Sequence, residues 1–174
     1  MTTTSPTATG RRETRDKTDF VVFTRTFRAP IDDVWAAVTE SDRLARWIGT
    51  WEGDPAQGHV DFHMNAEGDD VPVELFTIAA CEPPRLLEIH TEPPVGATVG
   101  VGWVIELGLA ESDGITTLEF RQSVPDSEMV ASVGPGWDYY LDRLVAAESG
   151  GDVSALDFDD YYPKFSDHYR REFS

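Results

Sequence analysis

Two histidines, His59 and His63, are the residues that most resemble a metal site, because imidazole is the commonest metal ligand in proteins. Both lie in the segment GHVDFHM, whose alternating apolar residues predict a strand. Four residues along a strand span about 13 Å, so the two side chains cannot bind one zinc ion together. We interpret them as a polar surface pair.

The other candidate ligands are equally unconvincing. The acidic run Asp157–Asp160 has the composition of a calcium loop but lacks its spacing and its closing glutamate. His90 shares a predicted strand face with Glu88, and His168 lies in a predicted C-terminal helix. We therefore predict no metal and no cofactor.

No arrangement for nucleophilic catalysis is visible. The chain has no G-x-S-x-G motif, no phosphate-binding loop and no dinucleotide glycine fingerprint. Its single cysteine, Cys81, lies in an apolar predicted strand without a basic neighbour that would favour the thiolate. We predict no catalytic residue.

What remains is a hydrophobic hollow, because the predicted helices and strands are rich in large aromatic residues. Ligand pockets are mostly apolar, with a few polar groups that orient the ligand. The same aromatics are equally compatible with a solid core, and that alternative stays open. The candidate ligand-binding residues are Arg25, Trp35, Trp47, Trp103, Phe120, Gln122, Trp137, Tyr140, Leu141 and Leu144.

Arg25 and Gln122 are the predicted polar anchors of this hollow. Arg25 shares a strand face with Val21, Phe23 and Phe27. It either reaches water near the strand end or projects its charge into the hollow. An unpaired buried charge costs on the order of several kcal/mol, which favours the first alternative.

A long helix predicted over residues 136–149 must position most of these residues. We expect Gly134-Pro135-Gly136 to interrupt a preceding helical stretch and Gly150-Gly151 to end the helix. Its apolar stripe is formed by Trp137, Tyr140, Leu141, Leu144 and Val145. Its solvated back face is expected to carry Asp138, Asp142, Arg143 and Glu148.

The preceding elements predict an α+β fold. A first strand over Phe20–Arg28 is followed by a helix after Pro30 and a second short helix over Asp42–Ile48. Alternating segments then predict further strands, with a hairpin turn at Ser112-Asp113-Gly114. A curved antiparallel sheet of about six to seven strands would have one apolar face, which the long helix must cover.

The chain is expected to hold one domain, over residues 19–151. Residues 1–18 are polar and charged, which predicts a disordered tail. Residues 152–174 form an extension with a short docked helix, packed on the domain or on a second copy. The aromatic stripe of that extension is Tyr161, Tyr162, Phe165 and Tyr169.

The net charge of −18 excludes whole classes of partner. The chain has 32 acidic and 14 basic residues, so its surface repels phosphate backbones and anionic lipid. With one cysteine, no apolar run long enough to span a membrane and no signal-like N-terminus, we expect a cytoplasmic location.

Four segments in this order resemble the START-like or SRPBCC superfamily, which has the helix-grip fold. The closest resemblance is to the heat-shock protein 90 ATPase activator homologue group. The segments are Phe27–Gly49, Val73–His90, Trp103–Ser123 and Gly136–Leu144. The chain departs from the family pattern at Gln57-Gly58-His59, where the family usually has Gly-Gly, and in the extension after Gly151.

The resemblance implies three hypotheses about function. The first is a non-catalytic domain that binds a small hydrophobic or amphipathic ligand between sheet and helix. The second is a chaperone-associated interaction module linked to stress response, and the third is a cyclase-like or hydrolase-like enzyme acting in the same cavity. The chain is expected to be a monomer or a homodimer.

Overall fold

The computed structural model describes residues 5–64, 73–91, 102–125 and 127–174. The strands are β1 (Arg11–Arg15), β2 (Thr18–Phe27), β3 (Gly49–Glu52), β4 (His59–Met64), β5 (Glu74–Glu82), β6 (Leu86–Thr91), β7 (Val104–Ser112) and β8 (Ile115–Ser123). The helices are α1 (Ile31–Thr39), α2 (Ser41–Leu44), α3 (Val130–Ser149) and α4 (Ser166–Glu172). None of the helices within these ranges is both long and apolar enough to cross a membrane.

The strands form one antiparallel sheet in the order β1-β2-β8-β7-β6-β5-β4-β3, and α3 packs across one face of it. We call this the inner face. The predicted α+β helix-grip fold is confirmed. The described part of the chain has 8 strands, against the six to seven expected.

The β7–β8 hairpin forms where the sequence predicts it. Ser112 pairs with Ile115, and the two residues between them, Asp113 and Gly114, have φ of 53° and 77°. Positive φ at both positions is the geometry of a tight two-residue hairpin loop, which Asp-Gly favours. This register places Leu107 opposite Phe120 on the inner face.

Strand β1 differs from the prediction of a tail over residues 1–18, of which residues 1–4 lie outside the described ranges. It forms a hairpin with β2, turning at Asp16 and Lys17, whose φ values of 48° and 69° are positive. Its side chains are polar because it is an edge strand: Arg12, for example, lies 3.0 Å from Asp19. Apolar alternation, the signal that predicts strands, is therefore absent here.

Helix α1 begins after Pro30, with Asp32 and Asp33 in its first turn, as the sequence predicts. Helix α2 is shorter than the predicted Asp42–Ile48 and ends at Leu44. The following residues form turns that bury Trp47, whose Nε1 donates to the carbonyl of Ala37 at 3.0 Å.

Helix α3 runs without interruption through Gly134-Pro135-Gly136, contrary to the prediction. Pro135 has no N–H to donate to the carbonyl of Ala131, four residues earlier. That carbonyl accepts a hydrogen bond from Ser166 Oγ at 2.7 Å instead. The helix therefore tolerates the proline because α4 satisfies the acceptor it frees, and Gly150, with φ of 78°, ends the helix as expected.

The C-terminal extension packs on α3 of the same chain. Its buried residues are Tyr161, Phe165, Tyr169 and Phe173, whereas Tyr162 is exposed. A Cβ atom at Gly134 would lie 2.5 Å from the Tyr169 ring, so this glycine permits the close approach of α4. Three of the four predicted stripe residues are therefore buried within the chain and are not available to a second copy.

Candidate functional site

A cavity of about 630 Å³ lies between the inner face of the sheet and the N-terminal half of α3. Its walls are mostly apolar, which is typical of small-molecule sites. Alternate residues of β4 to β8 form one side, and α1 and α3 form the other. The largest side chains lining it are Trp35, Trp51, Phe62, Phe76, Trp103, Phe120, Trp137, Tyr140 and Phe158.

Five of the ten predicted ligand-binding residues line this cavity: Trp35, Trp103, Phe120, Trp137 and Tyr140. They come from four elements or loops that are distant in sequence. The hollow predicted from aromatic content therefore exists between the sheet and the long helix. The structure brings these five residues together around it.

Three other predicted residues belong to the solid core and do not line the cavity. Trp47, Leu141 and Leu144 have exposures of 3%, 1% and 0%. The two leucines lie in the C-terminal half of α3, beyond the part of the helix that lines the cavity. The apolar stripe thus splits into a cavity half and a core half.

Gln122 does not line the cavity but makes a hydrogen bond to Trp137, which does. Its side chain is buried, and its Oε1 accepts a hydrogen bond from Trp137 Nε1 at 2.5 Å. The Trp137 ring also packs on Phe120, with centroids 4.2 Å apart. Gln122 therefore fixes the orientation of one of the largest lining rings.

Arg25 is not a cavity anchor, and neither alternative considered for it applies. Its guanidinium lies under α3, where Nη2 is 3.1 Å from Asp138 Oδ1 and 3.1 Å from Asp142 Oδ1. The Arg25 side chain is only 9% exposed. Pairing with two carboxylates offsets much of the desolvation cost that made an inward, unpaired arginine unfavourable.

Asp138 is fully buried, which corrects the prediction that it lies on a solvated helix face. Besides Arg25, its carboxylate accepts hydrogen bonds from the Thr9 hydroxyl and the Tyr169 hydroxyl. Burial raises the pKa of Asp138, although the bonds from Thr9 and Tyr169 and the Arg25 charge oppose this. We call Thr9, Arg25, Asp138, Asp142, Tyr161 and Tyr169 the polar cluster.

The polar cluster joins both ends of the chain to the sheet and to α3. Tyr161 donates to Asp142 Oδ2 at 2.8 Å, and the backbone N–H of Gly10 donates to the Tyr169 hydroxyl at 3.0 Å. Burial and the neighbouring carboxylates raise the pKa of both tyrosines. The other residues predicted to be solvated are also engaged: Arg143 Nε donates to the carbonyl of Trp47 at 2.9 Å.

Sequence reasoning missed several lining residues. Trp51 lines the cavity from β3, with its Nε1 donating to the carbonyl of Thr39 at 2.7 Å. Phe158 reaches the cavity from the C-terminal extension, against Tyr139. Trp51 could have been found by its alternation within a short strand, whereas no local pattern points to Phe158.

The ionisable side chains of the cavity wall are few. Among the described lining residues, the carboxylates are Glu40 and Glu74, the thiol is Cys81, and there is no Lys, Arg or His. Within the described ranges, no group of three or more His, Cys, Asp or Glu residues is placed to hold a metal ion. The cavity wall would therefore contact a ligand mainly through aromatic and aliphatic side chains, with negative charge at Glu40 and Glu74.

Residues 28–148 match the family described as Activator of Hsp90 ATPase homolog 1-like protein. The chain belongs to this family. The predicted membership of the START-like group is thereby confirmed, and the fold is one of ligand-binding domains in general. The match leaves out β1, all of β2 and the C-terminal extension, and no curated protein sequence matches the chain significantly.

Solved structures extend the similarity beyond the family domain. CalU16 from Micromonospora echinospora is 24% identical, with a TM-score of 0.74 over 98% of this chain and 99% of that one. DynU16, a protein in the dynemicin biosynthetic locus, is 24% identical, with a TM-score of 0.63 over 83% of this chain and 50% of that one. The Aha1 dimer from Colwellia psychrerythraea is 16% identical, with a TM-score of 0.61 over 76% of this chain and 98% of that one.

These similarities establish the fold of this Hsp90-activator-like chain. The similarity to CalU16 spans nearly all of both chains, so it includes the extension that packs on α3. The extension is therefore part of the fold and not an appendage to it.

Proposed function

We propose that the chain is a non-catalytic domain that binds one small hydrophobic or amphipathic molecule in the cavity between the sheet and α3. The observation that carries this proposal is the cavity itself, at about 630 Å³. Small-molecule sites range over roughly 300–1,000 Å³, so one ligand of several fused rings fits this volume.

The free-energy cost of leaving large aromatic side chains incompletely packed supports a role for the cavity in ligand binding. Apolar side chains that line a solvent-open cavity stay in contact with water, which is unfavourable relative to burial. Trp35, Trp51 and Trp137 are large and only partly buried, and all three line the cavity. A bound apolar molecule would restore the packing that these rings lack.

The cavity lining contains few side chains that could act as a general acid or base. A general acid or base must lie within hydrogen-bond reach of the reacting atoms. Arg25, the one cation considered for such a role, is paired with Asp138 and Asp142 under α3. The cavity carboxylates Glu40 and Glu74 are exposed, which favours a rim position over a catalytic one.

Partnership with a chaperone and a cytoplasmic location stay predictions. The family description refers to activation of the Hsp90 ATPase, but a shared fold does not by itself transfer that role to this chain. Three of the four residues of the aromatic stripe considered as a dimer surface are buried inside the chain, so a homodimer would need to rest mainly on a different face.

Titration with pyrenemethanol, a neutral apolar fluorophore, tests the binding role. Tryptophans in the cavity wall would transfer excitation to the bound pyrene, so tryptophan emission should fall with a stoichiometry of one. A ligand at 100 times its Kd stabilises the native state by about 2.7 kcal/mol, which raises the melting temperature of a chain this size by roughly 5–10 °C. Absence of both responses would exclude the proposed function.

A further inference from the structure

We infer that the cavity selects ligands that are neutral or positively charged and rejects carboxylates and phosphates of the same apolar shape. This inference rests on the proposed function and adds the charge class of the ligand to it. It follows from where the two cavity carboxylates lie and from where the nearby cations are held.

The strand register places Glu74 on the cavity side of the sheet. Directly opposed residues of antiparallel strands point to the same face. Glu74 of β5 is opposite Phe62 of β4, and Phe62 is opposite Trp51 of β3. All three line the cavity, so Glu74 lies in the same row of the wall as two aromatic residues.

Glu40 is held at the same end of the cavity through Trp51. The residue before it, Thr39, accepts the indole N–H of Trp51 at 2.7 Å. The residue after it, Ser41, accepts the backbone N–H of Trp51 at 2.9 Å through its hydroxyl. Glu40 and Glu74 therefore flank the Trp51–Phe62 wall from two sides.

The cations near the cavity are turned away from it. Arg25 is paired with Asp138 beneath α3, and Arg43 contacts Glu148 at 2.5 Å. Arg143 donates to the carbonyl of Trp47 and lies over the ring of Tyr139 at 5.3 Å. None of these three arginines lines the cavity.

The residues outside the described ranges between Met64 and Ser127 supply no cation either. Residues 65–72, 92–101 and 126 contain acidic side chains but no Lys, Arg or His. A carboxylate or phosphate on a ligand would therefore lose water at a negatively charged wall without gaining a counter-ion. A ligand amine would instead be attracted by the negative charges of Glu40 and Glu74, and its cation would stack on the ring of Trp51.

Three probes that share one ring system test this inference: pyrenemethylamine, pyrenemethanol and pyrenecarboxylate. Tryptophan quenching gives a Kd for each. We expect the amine to bind at least roughly tenfold more tightly than the carboxylate, with the alcohol between them, as opposite and like charges at a water-exposed rim imply. Equal affinities of amine and carboxylate, with the alcohol binding, would overturn the inference and leave the binding role intact.

Variants separate the two cavity carboxylates from the general charge of the protein. Glu40→Gln combined with Glu74→Gln should reduce the amine-to-carboxylate ratio to about threefold or less. Glu172→Gln, which removes an exposed carboxylate of α4 outside the cavity wall, should leave the ratio as in the wild type. An unchanged ratio in the double variant would overturn the inference, whereas failure of the alcohol to bind the wild type would remove the binding role as well.

Discussion

Arg25 Nη2 lies 3.1 Å from Asp138 Oδ1, and the two side chains are 9% and 0% exposed. Arg25 is in β2, the second strand of the N-terminal hairpin, and Asp138 is in α3, the helix that covers the sheet. Around this pair the polar cluster collects donors from Thr9 and Tyr169, near the two ends of the chain. One buried ion pair thus ties the sheet, the long helix and both terminal segments together.

Replacing Asp138 should be far more costly than replacing its neighbour. Asp138→Asn leaves Arg25 short of a buried counter-charge, and we expect a loss of about 3 kcal/mol in the free energy of unfolding. Asp142 also contacts Arg25, but its side chain is 32% exposed, so Asp142→Asn should cost about 1 kcal/mol. Urea unfolding of the two variants measures this difference, and equal losses would contradict the role given to Asp138.

Alkaline pH should destabilise the protein through Tyr169. The pKa of Tyr169 is raised in the folded state above the ordinary value of 10.0 by burial and the Asp138 charge. The unfolded chain therefore releases this proton first, so the contribution of Tyr169 is fully present below pH 10 and is lost as the pH rises further. The slope for one such group is about 1.4 kcal/mol per pH unit.

The control for that prediction is Tyr169→Phe, which removes the phenol and keeps the ring. Its stability is lower at neutral pH, because the bonds to Asp138 and Gly10 are lost. Its decline above pH 10 should be shallower than that of the wild type by the slope of one group. Urea unfolding across this range checks the difference, and parallel declines would show that Tyr169 ionises normally in the folded protein.

Two glycines of α3 should respond oppositely to alanine. A Cβ at Gly134 would lie 2.5 Å from the Tyr169 ring, so Gly134→Ala should displace α4 and cost about 1–3 kcal/mol. A Cβ at Gly136 meets no heavy atom within 4 Å, so Gly136→Ala should stabilise the helix by about 0.5–1 kcal/mol. Thermal unfolding of both variants tests this contrast, and stabilisation by Gly134→Ala would mean that α4 does not pack as described.

Local patterns predicted the elements whose side chains alternate or recur regularly. The β7–β8 hairpin and the apolar stripe of α3 are of this kind, because burial on one face imposes a period on the sequence. Strand β1 was missed because an edge strand stabilised by backbone pairing and charged side chains has no such period. The interruption predicted at Pro135 was wrong because Ser166, far along the chain, satisfies the carbonyl of Ala131.

The sequence predicted which residues face the space between the sheet and α3, but it did not predict which of them line the cavity and which belong to the solid core. The stripe of α3 identifies Trp137 and Leu144 equally, yet only the first lines the cavity. That distinction depends on how far β3 to β6 stand from the helix, which no single segment encodes. Likewise, the partner of Arg25 is 113 residues away, so the sequence showed a charge on an inner face without showing what neutralises it.

The central claim is that the space beside α3 receives a ligand, and Gly136 allows the most direct test. Its missing Cβ points into open space in the cavity wall, so Gly136→Leu should fill part of the site while the fold is kept. Gly108→Leu makes the same change on β7, also in open space but outside the cavity wall. The decisive measurement is the Kd of pyrenemethanol for the wild type and these two variants. We predict binding at least about tenfold weaker for Gly136→Leu and within about twofold of the wild type for Gly108→Leu. Unchanged binding by Gly136→Leu, with its melting temperature preserved, would contradict the claim.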